Sequence, residues 1–129
     1  MDNMDTKKIL IVEDDTVLLQ MLGNVLREHG FTVFEAQNGI EGIAHIKNDT
    51  PDLVLLDIDM PQMGGLFMLK TIRKNGDKTP VIMLTNINNP NSVADAAEYG
   101  VSAYLVKSDW EIDDIVKKIK DYLHITKNA

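Results

Sequence analysis

Four short apolar runs in this sequence end in side chains that could take part in phosphate and metal chemistry. The runs and the polar residues after them are Ile9–Val12 before Glu13, Asp14 and Asp15, Leu53–Leu56 before Asp57, Val81–Leu84 before Thr85, and Ala103–Val106 before Lys107. Carboxylates held close together repel one another, so some would take up protons unless a cation joined them. Oxygen ligands suit Mg²⁺ far better than zinc or copper. These residues therefore predict a divalent-cation site, provided that the fold brings the ends of the runs together.

Asp57 is the candidate nucleophile of such a site. With Glu13, Asp14 and Asp57 ionised, three negative charges would be balanced by the two charges of Mg²⁺ and the one of Lys107. A phosphoryl group on Asp57 carries about −2 and would add roughly one negative charge. The ammonium group of Lys107 and the hydroxyl group of Thr85 are available to interact with this additional negative charge. Phosphoryl transfer depends mainly on positioning and on neutralising oxygens, and a carboxylate can form the covalent phosphate.

The apolar runs alternate with segments of helical periodicity, and this pattern is repeated five times along the chain. Strands are predicted at 9–12, 31–36, 53–56, 81–84 and 103–106, with a helix after each. Continuous rather than alternating apolar runs indicate strands that are buried on both faces. We therefore expect an α/β fold with a five-stranded parallel sheet in the flavodoxin-like order 2-1-3-4-5 and five helices on both faces. The carboxyl ends of the strands, and the polar residues that follow them, then meet at one edge.

Capping residues predict where three of the helices begin. Asp15 or Thr16 can cap the first helix, and Asn38 can cap the second. The segment Ser108-Asp109-Trp110-Glu111 matches a capping box at the start of the last helix.

Trp110 and Phe67 are two of the four aromatic residues that lie outside the predicted strands. Trp110, the single tryptophan of the sequence, is expected to pack at the start of the last helix rather than to anchor a partner. Phe67 adjoins Leu66, which is expected to face the core, so Phe67 is expected to be partly packed.

The composition excludes several classes of function. The 13 basic and 20 acidic residues give a formal net charge of −7, which argues against a nucleic-acid-binding surface. The absence of cysteine excludes disulfides, thiolate metal sites and thiol catalysis. The run Ile9–Val12 is too short for a signal-peptide core or a membrane span, so a cytoplasmic location is expected. We expect one domain over residues 1–129, with its core at about 7–125 and no second domain.

Five motifs, in this order, resemble those of the receiver domains of two-component response regulators. They are Ile-Val-Glu13-Asp14-Asp15, Leu-Leu-Asp57-Ile-Asp-Met-Pro61, Gly65 at the opening of the next helix, Met-Leu-Thr85, and Tyr104-Leu-Val-Lys107. The resemblance covers nearly the whole chain, with one motif in each expected connection.

The resemblance implies a role for each acidic residue. Asp57 would be the phosphoacceptor, and Asp14 a direct ligand of Mg²⁺, for which Mn²⁺ can substitute. Glu13 would act on the metal through water, and the backbone carbonyl of Asp59 would complete the metal shell.

The resemblance also implies a switch. Thr85 and Lys107 would bind the phosphoryl group, and Thr85 would move toward it and leave space for the ring of Tyr104. The phosphoryl donor would be a histidine kinase or a histidine phosphotransfer protein. The fourth helix, fifth strand and fifth helix would form the face that meets an unknown output protein. A monomer or weak homodimer is expected, without direct nucleic-acid binding or membrane insertion.

Four departures from the family pattern affect details of the site. Asp59 adds a carboxylate near the rim of the pocket, and Gly64-Gly65 stands where the family more often has Asp-Gly. Asn86 follows Thr85 where the family usually has a small residue. Ser108 follows Lys107 where proline is usual, and without proline a cis bond would cost about 2.5–4 kcal/mol. A trans Lys107–Ser108 bond is therefore predicted.

Two other functions stay open at the level of the sequence. Asp57-Ile58-Asp59 echoes the Asp-x-Asp motif of small phosphatases of the haloacid-dehalogenase type. However, Met60 stands where that motif has threonine or valine, and the motif follows the third strand rather than the first. The other alternative is a degenerate receiver that acts only as a binding module, against which the intact acceptor site argues.

Overall fold

In the part of the chain that the structure describes, five strands and five helices alternate. The computed structural model describes residues 6–58, 60, 64–85 and 90–124, except for the side chains of residues 90–93. The elements are β1 (Lys8–Val12), α1 (Thr16–Glu28), β2 (Thr32–Ala36), α2 (Gly39–Asp49), β3 (Leu53–Asp57), α3 (Gly65–Lys74), β4 (Val81–Thr85), α4 (Pro90–Glu98), β5 (Ala103–Val106) and α5 (Ile112–Tyr122). Each strand begins and ends within one residue of its predicted range.

The strands form one parallel sheet in the order β2-β1-β3-β4-β5, which confirms the predicted topology. Val12 of β1 lies opposite Leu56 of β3, and Asp57 lies opposite Leu84 of β4. The carboxyl ends of the three central strands are therefore aligned to within about one residue. This alignment places the residues that follow the strands side by side at one edge of the sheet.

Apolar side chains fill a layer on each face of the sheet. Ile9 and Ile11 of β1 pack in the layer that receives α1 and α5. Leu10 and Val12 pack in the other layer, which receives α2, α3 and α4. The four residues are at most 1% exposed, as expected for a strand that is covered on both faces. In the described part of the chain, no helix is both long and apolar enough to cross a membrane.

Side-chain caps fix the starts of the first two helices, as predicted. Asp15 is the N-cap of α1, and its carboxylate accepts hydrogen bonds from the backbone N–H groups of Val17 and Leu18. The carbonyl oxygen of the Asn38 side chain accepts a hydrogen bond from the N–H of Glu41. These bonds satisfy N–H groups that have no partner within the helix.

The last helix begins later than predicted, so the expected capping box at Ser108 is wrong. Residues Lys107–Asp109 form a short 3₁₀ turn, and α5 begins after Glu111, whose side chain forms a capping box with Asp114. Trp110 has an extended backbone between these two segments. Its ring packs partly buried against the α1–α5 layer, which confirms its predicted packing. The backbone is therefore not helical at Trp110, inside the segment where the local Ser108 signal predicted the helix to begin.

Phe67 is more exposed than predicted. Its side chain is 56% exposed, whereas Met68 and Leu69 are fully buried. Because the two following residues take the inward positions of α3, the ring of Phe67 is left at the surface of the helix.

Candidate functional site

Glu13, Asp57 and Thr85 lie side by side at the carboxyl ends of β1, β3 and β4. Asp57 and Thr85 are the last residues of their strands, and Glu13 directly follows β1. The N–H of Glu13 donates to the carbonyl of Ala36 at 2.9 Å, and that of Ile58 donates to the carbonyl of Leu84 at 3.2 Å. The hydrogen-bond ladder thus extends past the strand ends and fixes the backbone on which the site is built.

Glu13, Asp14 and Asp57 form an acidic cluster. One carboxylate oxygen from each lies within 4.8 Å of the other two. Glu13 and Asp57 are only 1% and 3% exposed, whereas Asp14 is exposed. Three converging carboxylates, two of them removed from water, form a donor set of hard oxygen atoms that fits a divalent cation such as Mg²⁺. Asp59, the predicted source of a further carbonyl ligand, lies outside the described residues.

Lys107 joins this cluster from the end of β5. Its Nζ lies 2.8 Å from Glu13 Oε1 and 3.6 Å from Asp57 Oδ2. Burial by itself would lower the pKa of Lys107. The hydrogen bond to Glu13 and the charges of Asp57 and Glu13 outweigh burial, so the pKa is raised above its ordinary value. Lys107 is therefore held protonated between the two buried acids.

The Glu13–Lys107 ion pair was not predicted from the sequence. Sequence reasoning assigned Glu13 to the metal and Lys107 to the phosphoryl group. The signal in the sequence that could have indicated this ion pair is the length of the glutamate side chain, which is one methylene longer than that of aspartate. Glu13 Oε2 also accepts a hydrogen bond from the N–H of Asp15 at 3.1 Å, so both of its carboxylate oxygens are held in place.

Gly65 fixes the backbone after Asp57 by allowing a close contact between α3 and the end of β3. Its N–H donates to the carbonyl of Ile58 at 3.2 Å. A Cβ atom at position 65 would lie only 2.3 Å from the carbonyl oxygen of Asp57 and 2.7 Å from Cα of Ile58. Any side chain would therefore push α3 away from the end of β3. Gly65 was recognised in the sequence as part of a motif, but this contact was not.

Thr85 and Tyr104 lie on the same face of the sheet, on neighbouring strands. Tyr104 is opposite Met83, and Val106 is opposite Thr85, so Thr85 and Tyr104 are diagonal neighbours. Thr85 is fully buried, and the ring of Tyr104 packs partly buried against the layer that holds α2, α3 and α4. Asn86 lies outside the described residues.

The Lys107–Ser108 peptide bond is trans, as predicted, because no bond between described residues is cis. The 3₁₀ turn that begins at Lys107 therefore contains serine, and not proline, at position 108.

Comparison with known proteins gives one consistent family. The family model described as "Response regulator receiver domain" matches residues 9–120. "Sporulation initiation phosphotransferase F" of Bacillus subtilis (strain 168) is 31% identical over 125 residues, which cover 97% of this chain and 100% of that protein.

A further relative is much longer than this chain. "Regulator of RpoS" of Escherichia coli (strain K12) is 39% identical over 101 residues, which cover 78% of this chain but only 30% of that protein. Among solved structures, the CheY-like response regulator receiver domain protein of Methanospirillum hungatei JF-1 superposes with a TM-score of 0.87 at 32% identity. That match covers 93% of this chain and 95% of the solved chain.

Proposed function

The chain belongs to the response regulator receiver domains, and we propose that its Asp57 accepts a phosphoryl group in a Mg²⁺-dependent reaction. The observation that carries this proposal is the placement of the Asp57 carboxylate. It is buried at the end of β3, in a cluster with Glu13 and Asp14 and 3.6 Å from Lys107. A buried carboxylate that is supplied with both a cation-binding cluster and a fixed ammonium is suited to nucleophilic phosphoryl transfer.

In the proposed reaction, an oxygen of Asp57 attacks the phosphorus of a phosphohistidine on the donor protein. The P–O bond forms while the P–N bond breaks, and the electron pair of that bond stays on the imidazole nitrogen, which takes up a proton. Lys107 and the Thr85 hydroxyl bind the oxygens of the transferred group. A Mg²⁺ or Mn²⁺ ion held by Glu13, Asp14 and Asp57 would supply positive charge against the phosphoryl oxygens. Attack of water on phosphorus then releases inorganic phosphate and restores Asp57.

Thr85 and Tyr104 couple phosphorylation to a change in conformation. Thr85 moves toward the phosphoryl group and vacates space on the face of the sheet that it shares with the ring of Tyr104. The equilibrium between two pre-existing conformations shifts, and the face built from α4, β5 and α5 changes shape. The diagonal placement of the two residues on β4 and β5 supports this coupling.

The proposed donor is a histidine kinase or a histidine phosphotransfer protein, and the proposed receiver of the signal is an output protein in the cytoplasm. The relative named as a phosphotransferase matches this chain over almost its full length, which supports a phosphorelay. The 129 residues are proposed to act as one receiver domain. Because the chain spans 30% of "Regulator of RpoS", nothing about the rest of that protein is carried over.

The proposal is tested by incubating the protein with acetyl phosphate or phosphoramidate in the presence of Mg²⁺, followed by intact-mass measurement. We expect the mass to increase by one phosphoryl group, and no increase with Asp57→Asn or in EDTA. Asp121→Asn, on the exposed surface of α5, is the matched control and should be labelled normally. No labelling under any condition would leave only the binding-module function. Continuous release of phosphate from small esters would instead indicate a phosphatase.

A further inference from the structure

A groove lies open between α3 and α4, on the face of the sheet opposite α1 and α5. Its volume is about 320 Å³, and its lining residues are Leu66, Phe67, Lys70, Asp95, Glu98 and Tyr99. Phe67 is 56% exposed at this groove, whereas Leu66 and Tyr99 pack partly buried against the layer beneath. Exposed aromatic side chains beside an apolar cleft are frequent anchors of protein interfaces.

The two walls of this groove carry opposite charges. On α3, Lys70 and Lys74 are exposed and one helical turn apart. On α4, Asp95 and Glu98 are exposed and three residues apart, so they share one side of the helix. Within the described part of the chain, no ion pair involves any of these four residues. Lys70 Nζ lies 5.8 Å from the centre of the Tyr99 ring, within its own copy. This contact leaves the side chain of Lys70 exposed, so the charges of both walls still face a molecule that lies over the groove.

We propose that this groove is the contact surface of a two-fold dimer of the chain, in which α3 of each copy packs on α4 of the other. The two helices follow parallel strands and contact the same face of the sheet, so a two-fold axis parallel to them exchanges their positions. Lys70 of each copy then faces Asp95 and Glu98 of the other, and each ion-pair contact occurs twice. The Phe67 rings meet the groove at the centre of the interface.

A second copy fits this groove better than a partner of uniform charge. A basic partner would be attracted to Asp95 and Glu98 but repelled by Lys70. An acidic partner would be attracted to Lys70 but repelled by the two acidic residues. A second copy of the groove carries a basic wall and an acidic wall that complement those of the first copy. Such charge patterns set the register of an interface. This proposal does not depend on the phosphorylation of Asp57, so each can fail without the other.

The dimer is expected to be weak and to depend on concentration. α3 and α4 contain 10 and 9 residues, which is about 15 Å of helix each. Two such helices per copy cover less than the roughly 800 Å² per partner that is usual for a stable interface. The net charge of −7 also opposes close approach of two copies.

The test is sedimentation equilibrium of the full chain from micromolar to millimolar concentration. We expect the average mass to rise toward that of a dimer. Phe67→Ser should weaken association at least tenfold, while Ile40→Ser, which removes an equally exposed apolar side chain on α2 (60%), should leave it unchanged. A chain that stays monomeric throughout, or a dimer that tolerates Phe67→Ser, would overturn the proposal.

Charge reversal provides a second and independent measurement. The double variant Lys70→Glu/Lys74→Glu makes both walls acidic, and Asp95→Lys/Glu98→Lys makes both basic. Each variant alone should be monomeric, because like charges would face one another. An equimolar mixture should restore the dimer, because every acidic wall then faces a basic one. A mixture that stays monomeric, or single variants that still dimerise, would place the contact elsewhere.

Discussion

Lys107 Nζ lies closer to Glu13 Oε1, at 2.8 Å, than to the carboxylate of the proposed phosphoacceptor, at 3.6 Å from Asp57 Oδ2. The ammonium group is thus shared between two buried acids, and its shorter contact is with the one that is not phosphorylated in the proposed reaction. Glu13 holds Lys107 at the edge of the acceptor site, from which it can approach a phosphoryl group on Asp57.

The charge environment of Lys107 predicts how stability depends on pH. Burial alone would lower its pKa, but the hydrogen bond to Glu13 and the charges of Asp57 and Glu13 raise it above the value of an unfolded lysine. The folded protein therefore holds this proton more tightly than the unfolded chain does. The resulting stabilisation is complete below the unfolded pKa of about 10.4 and is lost as the pH rises through the folded pKa.

Lys107→Met should remove the dependence of stability on pH that arises from the Lys107 proton. Urea unfolding in EDTA between neutral pH and about pH 11 should show the free energy of unfolding of the wild type approaching that of the variant above pH 10.4. Lys117→Met, which removes an exposed lysine of α5, serves as the control and should follow the wild type. If the plots of unfolding free energy against pH for wild type and Lys107→Met stay parallel across this range, the raised pKa of Lys107 would be contradicted.

Asp14→Asn should stabilise the metal-free protein and weaken its response to Mg²⁺. Asp14, Glu13 and Asp57 place three carboxylates within 4.8 Å, so removing one charge relieves repulsion. A gain of about 1 kcal/mol is expected, since Asp14 is exposed and partly screened. The increase in melting temperature on adding Mg²⁺ should shrink in the variant, because a ligand that binds only the folded state stabilises it in proportion to its affinity.

Two outcomes would contradict this prediction. Lower stability of Asp14→Asn in EDTA would mean that the three carboxylates do not repel one another. An unchanged Mg²⁺ response would mean that Asp14 does not hold the ion. Asp121→Asn again provides the control, because it removes an exposed carboxylate of α5 remote from the strand ends.

The sheet could be predicted from the sequence because each strand is a short, continuous apolar run. Such runs have few alternatives in a chain of this size, and the order of strands and helices then allows few topologies. The start of α5 could not be predicted in the same way. The Ser108 signal is local, whereas the burial of Trp110 against the α1–α5 layer depends on the packed structure.

The members of the candidate site could be predicted from their positions at the strand ends, but their mutual contacts could not. Whether Lys107 pairs more closely with Glu13 or with Asp57 depends on distances that differ by less than 1 Å. The close contact of Gly65 with the Asp57 carbonyl likewise depends on how near α3 comes to β3. Sequence patterns specify which residues meet at an edge, and packing determines how they meet.

Gly65→Ala should destabilise the protein and impair phosphorylation. The added Cβ would lie 2.3 Å from the carbonyl oxygen of Asp57, so α3 or the end of β3 must shift. A loss of about 2–3 kcal/mol is expected, which is typical of forcing extra atoms into a packed site. Gly64→Ala provides the control, because its Cβ would have no heavy atom closer than 3.6 Å and its φ of −56° suits alanine.

Urea unfolding and labelling by phosphoramidate measure the two effects. Gly64→Ala should remain within about 0.5 kcal/mol of the wild type and be labelled at a similar rate. Equal stability of the two variants would mean that the contact between Gly65 and Asp57 is not close in solution.

Arg73→Ala should loosen the carboxyl end of α4. The guanidinium of Arg73, on α3, donates hydrogen bonds to the carbonyls of Tyr99 at 2.8 Å and Gly100 at 3.1 Å, which directly follow α4. A third bond goes to the carbonyl of Asp77 at 3.0 Å. These bonds join α3 to the end of α4, and hydrogen bonds from a charged donor contribute about 1.5–3 kcal/mol.

The expected loss for Arg73→Ala is about 2–3 kcal/mol, measured by urea unfolding. Hydrogen exchange should become faster at the end of α4 before global unfolding, because these residues then open locally. Lys74→Ala removes an exposed cation from the same turn of α3 and should change neither quantity. If amide exchange around Tyr99 were equally slow in both variants, α4 would have to be held by its apolar contacts with the sheet, through residues such as Ala96, rather than by Arg73.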